Sequence, residues 1–172
     1  MDIFAHALWT NAVYETASKP RRSLRNILEV LFWSNFPDFF SFGILFVINI
    51  VTWSSPARAG SYEEQNFPAW LYNMHHILYS LPLYFLIFGL LWLIFKKPYW
   101  PIGGWFIHIF IDVLTHTSFF PPHFLWPFSD FHLELTTWAS PTFMAINYVA
   151  IIVVYTVLYF FRFRPRKKIK II

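Results

Sequence analysis

The chain contains no cysteine, which excludes a disulfide scaffold, thiolate zinc sites, thiol nucleophiles and iron–sulfur ligation. Charge is scarce: Asp, Glu, Lys and Arg make up 13% of the residues, about half the ~25% usual in soluble domains. Glycine is scarce too, with 5 in 172 residues, and none sits in a phosphate-cradling loop. No internal repeat is visible. Apolar residues dominate instead. Hydrophobic residues reach 57% and aromatics 23%, with 22 Phe, 9 Trp and 9 Tyr, a surplus that excludes a disordered chain. A length of 172 residues allows one domain. The composition therefore predicts a single integral membrane domain of the all-α class, a polytopic helical bundle.

Four apolar runs stand out, at 27–53, 71–95, 102–119 and 142–163. Because roughly 20 helical residues cross the hydrocarbon core, they predict about four transmembrane helices. Residues 2–17 are helix-compatible but too short and polar to span, and predict a short half-inserted or interfacial N-terminal helix. Pro37 predicts a break between Ser34 and Asp38, since proline donates no backbone hydrogen bond and clashes with the preceding turn. Pro82 predicts a kink within the second span. Residues 118–132, with Pro121, Pro122 and Pro127 among many aromatics, read as an ordered loop.

The basic residues set an orientation. Lys19, Arg21, Arg22 and Arg25 precede the first span, Lys96 and Lys97 separate the second from the third, and Arg162, Arg164, Arg166, Lys167, Lys168 and Lys170 follow the fourth. Only Arg58 falls on the other side, with Glu63, Glu64, Asp130 and Glu134. By the positive-inside rule the C-terminus and its basic tail, 164–172, face the cytoplasm. The tail reads as an orientation and anionic-lipid signal, which makes membrane lipids rather than nucleic acid the expected partner. The expected location is a bacterial cytoplasmic (inner) membrane.

The third run carries ionisable residues where they are costly. An Asp at mid-span costs about 2.5–3.5 kcal/mol on insertion scales, and such groups face the bundle interior. His108, Asp112 and His116 are spaced i, i+4, i+8 and project from one helical face. Eight residues rise about 12 Å, too far for the two histidines to share one ion. Asp112 is therefore the pivot: it pairs with one histidine at a single ion, or bridges two ions about 3.5–4 Å apart. Counted along their helices, Asp38, Asp112, His116 and His76 fall at depths that can meet in one layer, and His6 on the N-terminal helix is a further candidate. His75 alone reads as an interfacial residue, and His123 and His132 as hydrogen-bonding loop residues. The donor set is nitrogen and oxygen without sulfur, which suits Zn²⁺, Mn²⁺ or Fe²⁺. An Asp–His hydrogen bond joining helices and a haem held by two histidines are the alternatives.

Several short segments, in order, carry a resemblance. They are Asp2-Ile3-Phe4-Ala5-His6-Ala7-Leu8-Trp9, Phe36-Pro37-Asp38, Leu71-Tyr72-Asn73-Met74-His75-His76, His108-Ile109-Phe110-Ile111-Asp112 with Thr115-His116, and Leu125-Trp126-Pro127-Phe128-Ser129-Asp130-Phe131. Together they resemble the YdjM-like membrane-bound metal-dependent hydrolases, inner-membrane proteins compared to zinc phospholipase C. The resemblance implies metal-ligand positions at His6, Asp38, His76, His108 and Asp112, with His116 at a further histidine common after the His-x-x-x-Asp pair. One segment departs from the family. After Tyr-Asn the family reads Thr-His-Ser-Leu, whereas His75-His76 is followed here by Ile77-Leu78-Tyr79-Ser80-Leu81. Either His76 keeps the ligand role, or the pattern aligns on Ser80-Leu81 and Tyr79 stands in the histidine's place.

The expectation is a membrane-embedded hydrolase of a lipid or lipid-linked phosphoester, with one or two divalent ions, zinc foremost, and Asp38 or Asp112 in the catalytic role. The competing expectation is a non-catalytic accessory subunit of a larger membrane complex or homo-oligomer, its metal site structural or vestigial. An ion or proton pathway is a third, since Asp/His chains also mark transporters.

Overall fold

A computed structural model describes residues 1–17, 22–52, 67–117 and 120–163. Among these the chain is helical, with no strand. In chain order the helices are α1 (Ile3–Ala17), α2 (Leu24–Asp38), α3 (Ile44–Val51), α4 (Ala69–Leu78), α5 (Leu81–Phe95), α6 (Gly103–Thr115) and α7 (Pro141–Leu158). Arg58, Glu63, Glu64, Lys19, Arg21 and the tail 164–172 lie outside the described residues, so the orientation reading rests on sequence for them.

Two continuous helical stretches are long and apolar enough to cross a membrane, Leu24–Ile48 and Pro141–Phe161. The pair α4 and α5 makes a third if counted as one span, bent by 58°. The run expected at 102–119 yields a helix of 13 residues, about 20 Å long against the ~30 Å hydrocarbon core. Large apolar side chains are turned outward along three of these elements, among them Phe46 and Val47 on α3, Phe85 and Leu93 on α5, and Val149 and Ile152 on α7. Soluble monomers rarely expose contiguous apolar surface on this scale. The apolar helices mark a membrane protein.

Pro37 does not break the first long helix. The helical path runs on through Pro37 into a widened π-turn at Phe39–Gly43 and then into α3. This turn follows directly after the proline, and the Ser41 hydroxyl donates to the Pro37 carbonyl at 2.6 Å. Asp38 sits at this junction. Pro82 likewise does not kink a continuous helix: the break comes earlier, where Ser80 caps α5 by accepting from the Leu83 N–H at 3.1 Å. That leaves Pro82 in the first turn of α5, where its missing donor costs little.

α6 is the central helix. Gly104, Trp105, His108, Ile109, Asp112 and Val113 are buried on it. It approaches α2 closely because Gly104 has no side chain: a Cβ there would lie 2.7 Å from the Val30 carbonyl oxygen and 2.9 Å from the Ser34 nitrogen. Both are backbone atoms that cannot swing aside, and small residues serve this purpose between membrane helices. We expect Gly104→Leu to force the helices apart and destabilise the fold by about 1–3 kcal/mol, measured by thermal unfolding in detergent.

α1 packs one face into the bundle. Its Ala5, His6, Thr10, Ala12 and Glu15 are buried. Trp9 Nε1 donates to Asn147 Oδ1 at 2.8 Å, Asn11 Nδ2 to the Tyr155 hydroxyl at 2.8 Å, and the Tyr148 hydroxyl to Asp2 Oδ1 at 2.9 Å. These bonds tie Asp2, Trp9 and Asn11 to α7. At the helix end Arg22 pairs with Glu15 at 2.9 Å, both nearly enclosed, and also bonds Asn11. Removing one partner strands the other charge, so Glu15→Ala is expected to cost about 3–5 kcal/mol, checked by the unfolding midpoint.

Candidate metal centre

The cluster is built where α1, α2, α4 and α6 meet. From Gly103 to Asp112 the rise along α6 is about 13 Å, roughly half the depth of a hydrocarbon core. His6 comes from the buried face of α1, Asp38 from the α2 π-turn junction, and His108 and Asp112 from consecutive turns of α6. Each of the two histidines is fully buried and Asp112 is 1% exposed, whereas the Asp38 side chain retains 15%.

His108 is held in one tautomer. Its Nδ1 lies 2.7 Å from the Ser34 carbonyl oxygen, which can only accept, so Nδ1 carries the hydrogen. Nε2 is then an unprotonated lone pair facing the cluster when the ring is neutral. It stands 3.2 Å from Asp112 Oδ2 and 3.7 Å from Asp38 Oδ1. A backbone carbonyl fixing the distal nitrogen is the usual support of a metal-ligating histidine.

Asp112 divides its two oxygens. Oδ2 faces His108, while Oδ1 lies 2.9 Å from His6 Nε2, 3.3 Å from His116 Nδ1 and 2.6 Å from the amine of Met1. The His6 ring stacks on His108 with centroids 3.9 Å apart. Neither nitrogen of His6 has a hydrogen-bond partner despite full burial, and His116 Nδ1 is likewise buried and unpartnered. The short distances place these nitrogens beside the carboxylate without aligning them for hydrogen bonds. Buried unpaired polar groups are costly.

Tyr79 completes the arrangement. Its hydroxyl lies 3.0 Å from Asp38 Oδ1, 3.1 Å from Asp112 Oδ2 and 2.9 Å from His108 Nε2. A phenol has one proton to donate, so at most one of these three acceptors is satisfied at a time. The acceptor surplus, the orphaned His6 nitrogens and the carbonyl-bound His108 together fit a cation. Ligand atoms of His6, Asp38 and His108 all lie within 4.8 Å of one another. A tetrahedral shell with bonds near 2.0–2.1 Å separates its ligand atoms by about 3.4 Å. The buried His6–Asp38–His108 group can hold a metal ion.

His76 is not drawn into this group. Its ring stacks on His123 at 4.6 Å, and His123 stacks on His132 at 5.1 Å, forming a column of imidazoles beside the loop. Burial, followed by the neighbouring His76 and His132, holds His123 below its ordinary value. The position opposite the carboxylates belongs to Tyr79. His75 is not an interfacial residue either: it is buried and stacks on the Tyr79 ring at 4.1 Å. His75 and Tyr79 are four residues apart and share a helix face, whereas His76 points about 100° away. Sequence reasoning missed the Ser34 carbonyl and the Met1 amine. A main-chain partner leaves no residue signature, and the amine reaches Asp112 only because α1 packs against α6.

The fold and cluster define a class: an all-helical membrane protein with a buried His/Asp group of metal-binding composition. Comparison with protein-family models, curated proteins and solved structures finds no match to this chain.

Proposed function

We propose that the protein is a membrane-embedded metal-dependent hydrolase of a lipid or lipid-linked phosphoester, in the manner of the YdjM-like proteins its segments resemble. The single observation that carries this reading is the mid-depth group of His6, Asp38, His108 and Asp112, with His108 oriented by the Ser34 carbonyl. These residues would hold a divalent ion, zinc in the first place and manganese or iron as alternatives, with His116 supporting Asp112. When bound, such an ion supplies a nucleophile at neutral pH and stabilises charge on a phosphoryl oxygen.

The chain's own groups divide the remaining work. Asp38 is the more exposed carboxylate, and its oxygen not engaged by the ion would serve as the general base. Asp112, enclosed and shared by several donors, stays a ligand and an anchor. Tyr79 places its hydroxyl against both carboxylates, which fixes their orientation. The bundle excludes water at this depth, so charges there interact strongly. In this reading α6 crosses as the inner fourth helix, with the basic ends of α2 and α5 in the cytoplasm of a bacterial cell.

The test is hydrolysis of a phospholipid panel by purified protein supplied with zinc or manganese. Activity is expected, abolished by a chelator and restored by the ion, and absent from His108→Ala. A metal-loaded, folded protein that cleaves no member of the panel would leave the second reading, an accessory subunit. The observation favouring that reading is Tyr79, which puts a phenol hydroxyl rather than an imidazole against Asp38, His108 and Asp112.

A further inference from the structure

All seven histidines of the chain fall on one line of contacts, and only its inner part belongs to the buried centre. His6 stacks on His108, His116 joins them through Asp112, and His108 Nε2 lies 2.9 Å from the Tyr79 hydroxyl. His75 stacks on Tyr79 at 4.1 Å, and the His76 ring follows 6.4 Å from that of His75. His123 and then His132 continue the column at 4.6 and 5.1 Å. Exposure falls along it: the side chain of His132 is 37% exposed and that of His123 19%, whereas His75 is 2% exposed and His108 fully enclosed. The line runs from the loop surface to the cluster.

We propose that the loop end of this line, His123 with Asp130 and His132 with Glu134, is a second divalent transition-metal site, which captures the ion and passes it inward. The transfer, though not the binding, rests on the metal centre of the hydrolase reading above. Three observations select a metal ion over a proton. His132 Nδ1 lies 3.1 Å from the Asp130 carbonyl oxygen, which only accepts, so the neutral ring presents its Nε2 lone pair, 3.8 Å from Glu134 Oε1. The Ser34 carbonyl holds His108 in the same way, the support usual for a ligating imidazole. Next, His123 Nδ1 is buried without a hydrogen-bond partner among the described residues, and Asp130 Oδ1 stands 3.8 Å from it. Both separations are too long for a hydrogen bond. They fit two ligands of one ion, which lie at most about 4.2 Å apart when each bond is near 2.0–2.1 Å. Finally, the stacked rings pass no proton to one another, because imidazole hydrogen bonds lie in the ring plane.

Two protein ligands, with water completing the shell, hold an ion weakly and release it readily. Asp130 is 89% exposed, and carboxylates at a mouth raise the local cation concentration. A bare divalent ion does not cross apolar packing, so graded imidazole ligands lower the barrier to His6 and His108.

The experiment uses the full chain in detergent, stripped of metal by a chelator that is then removed, with zinc as the probe. Equilibrium titration against a zinc-sensitive dye resolves the classes of site, and stopped-flow mixing follows loading of the tight one. The variant is the double change His123→Gln with His132→Gln, its folding checked by the unfolding midpoint. His132→Gln alone, at the more exposed position, serves if the double variant does not fold. The wild type is expected to show a tight class and a weaker class. The variant should lose the weaker class and keep the tight affinity. It should load the tight class at least about ten-fold more slowly, the lower end of what charge focusing adds to association rates. A folded variant that keeps the weaker class overturns the proposal, and one that loads at the wild-type rate overturns the transfer. Failure of the buried centre looks different: the wild type shows no tight class, while its weaker class is present and the loop variant abolishes it. That result upholds the loop site and rejects the hydrolase reading, and the transfer with it.

Discussion

Replacing Asp112 by Ala is expected to empty the cluster of metal and to destabilise the fold by about 3–5 kcal/mol, the scale for breaking a buried charged pair. Among the described residues no other side chain touches so many ionisable groups. Its Oδ1 lies within 3.3 Å of His6, His116 and the Met1 amine, and its Oδ2 within 3.2 Å of His108 and Tyr79. Without it a buried amine and three imidazoles lose their common anion, and a bound cation loses a negative ligand. Asp112→Asn separates these effects. The amide keeps the volume and one acceptor but not the charge, so metal should still be lost while stability falls less. Thermal unfolding in detergent with parallel elemental analysis reads both. An alanine variant as stable as the wild type would show that the short contacts around Asp112 carry no energy.

Tyr79→Phe is expected to lower metal affinity about 10–100-fold, the range seen when a hydrogen-bond partner of metal ligands is removed. The phenyl ring keeps the stacking on His75, so the loss isolates the hydroxyl that bridges Asp38, His108 and Asp112. Tyr79→His makes the opposite prediction. It places an imidazole where the Tyr79 hydroxyl faces Asp38, His108 and Asp112 and should tighten zinc binding relative to wild type. Competition titration with a zinc-sensitive dye measures both variants. A phenylalanine variant with unaltered affinity would place Tyr79 outside the metal's surroundings.

The helical class and two or three of the four expected membrane-length runs were legible because composition and hydropathy are one-dimensional properties. The shared face of His108 and Asp112 was legible for the same reason, since helical periodicity alone sets it. The fate of Pro37 was not, because a proline either breaks a helix or is absorbed by a π-turn, and tight packing of α2 against Gly104 of α6 favours the continuous path. The α4–α5 elbow shows how a small register difference redirects a site. The Ser80 cap, with its hydroxyl bonded to the Trp126 carbonyl at 2.6 Å and the Leu81 N–H bonded to the Phe124 carbonyl at 2.9 Å, ends α4 so that Tyr79 faces the carboxylates. His76, one position round the helix from His75, meets the loop instead. Those bonds join residues more than forty positions apart, and local sequence does not encode them. Similarly, the polar residues Asp2, Trp9 and Asn11 of the N-terminal segment find their partners on α7, which local sequence does not reveal.

The most direct test of the metal centre is elemental analysis of the wild-type protein, purified in mild detergent without chelators and dialysed against metal-free buffer. The arrangement of His6, Asp38, His108 and Asp112 predicts one to two equivalents of a divalent transition metal per chain, zinc foremost. Folded protein that holds no metal, even after zinc and manganese are supplied, would contradict it and leave the cluster as a hydrogen-bonded layer joining α1, α2, α4 and α6.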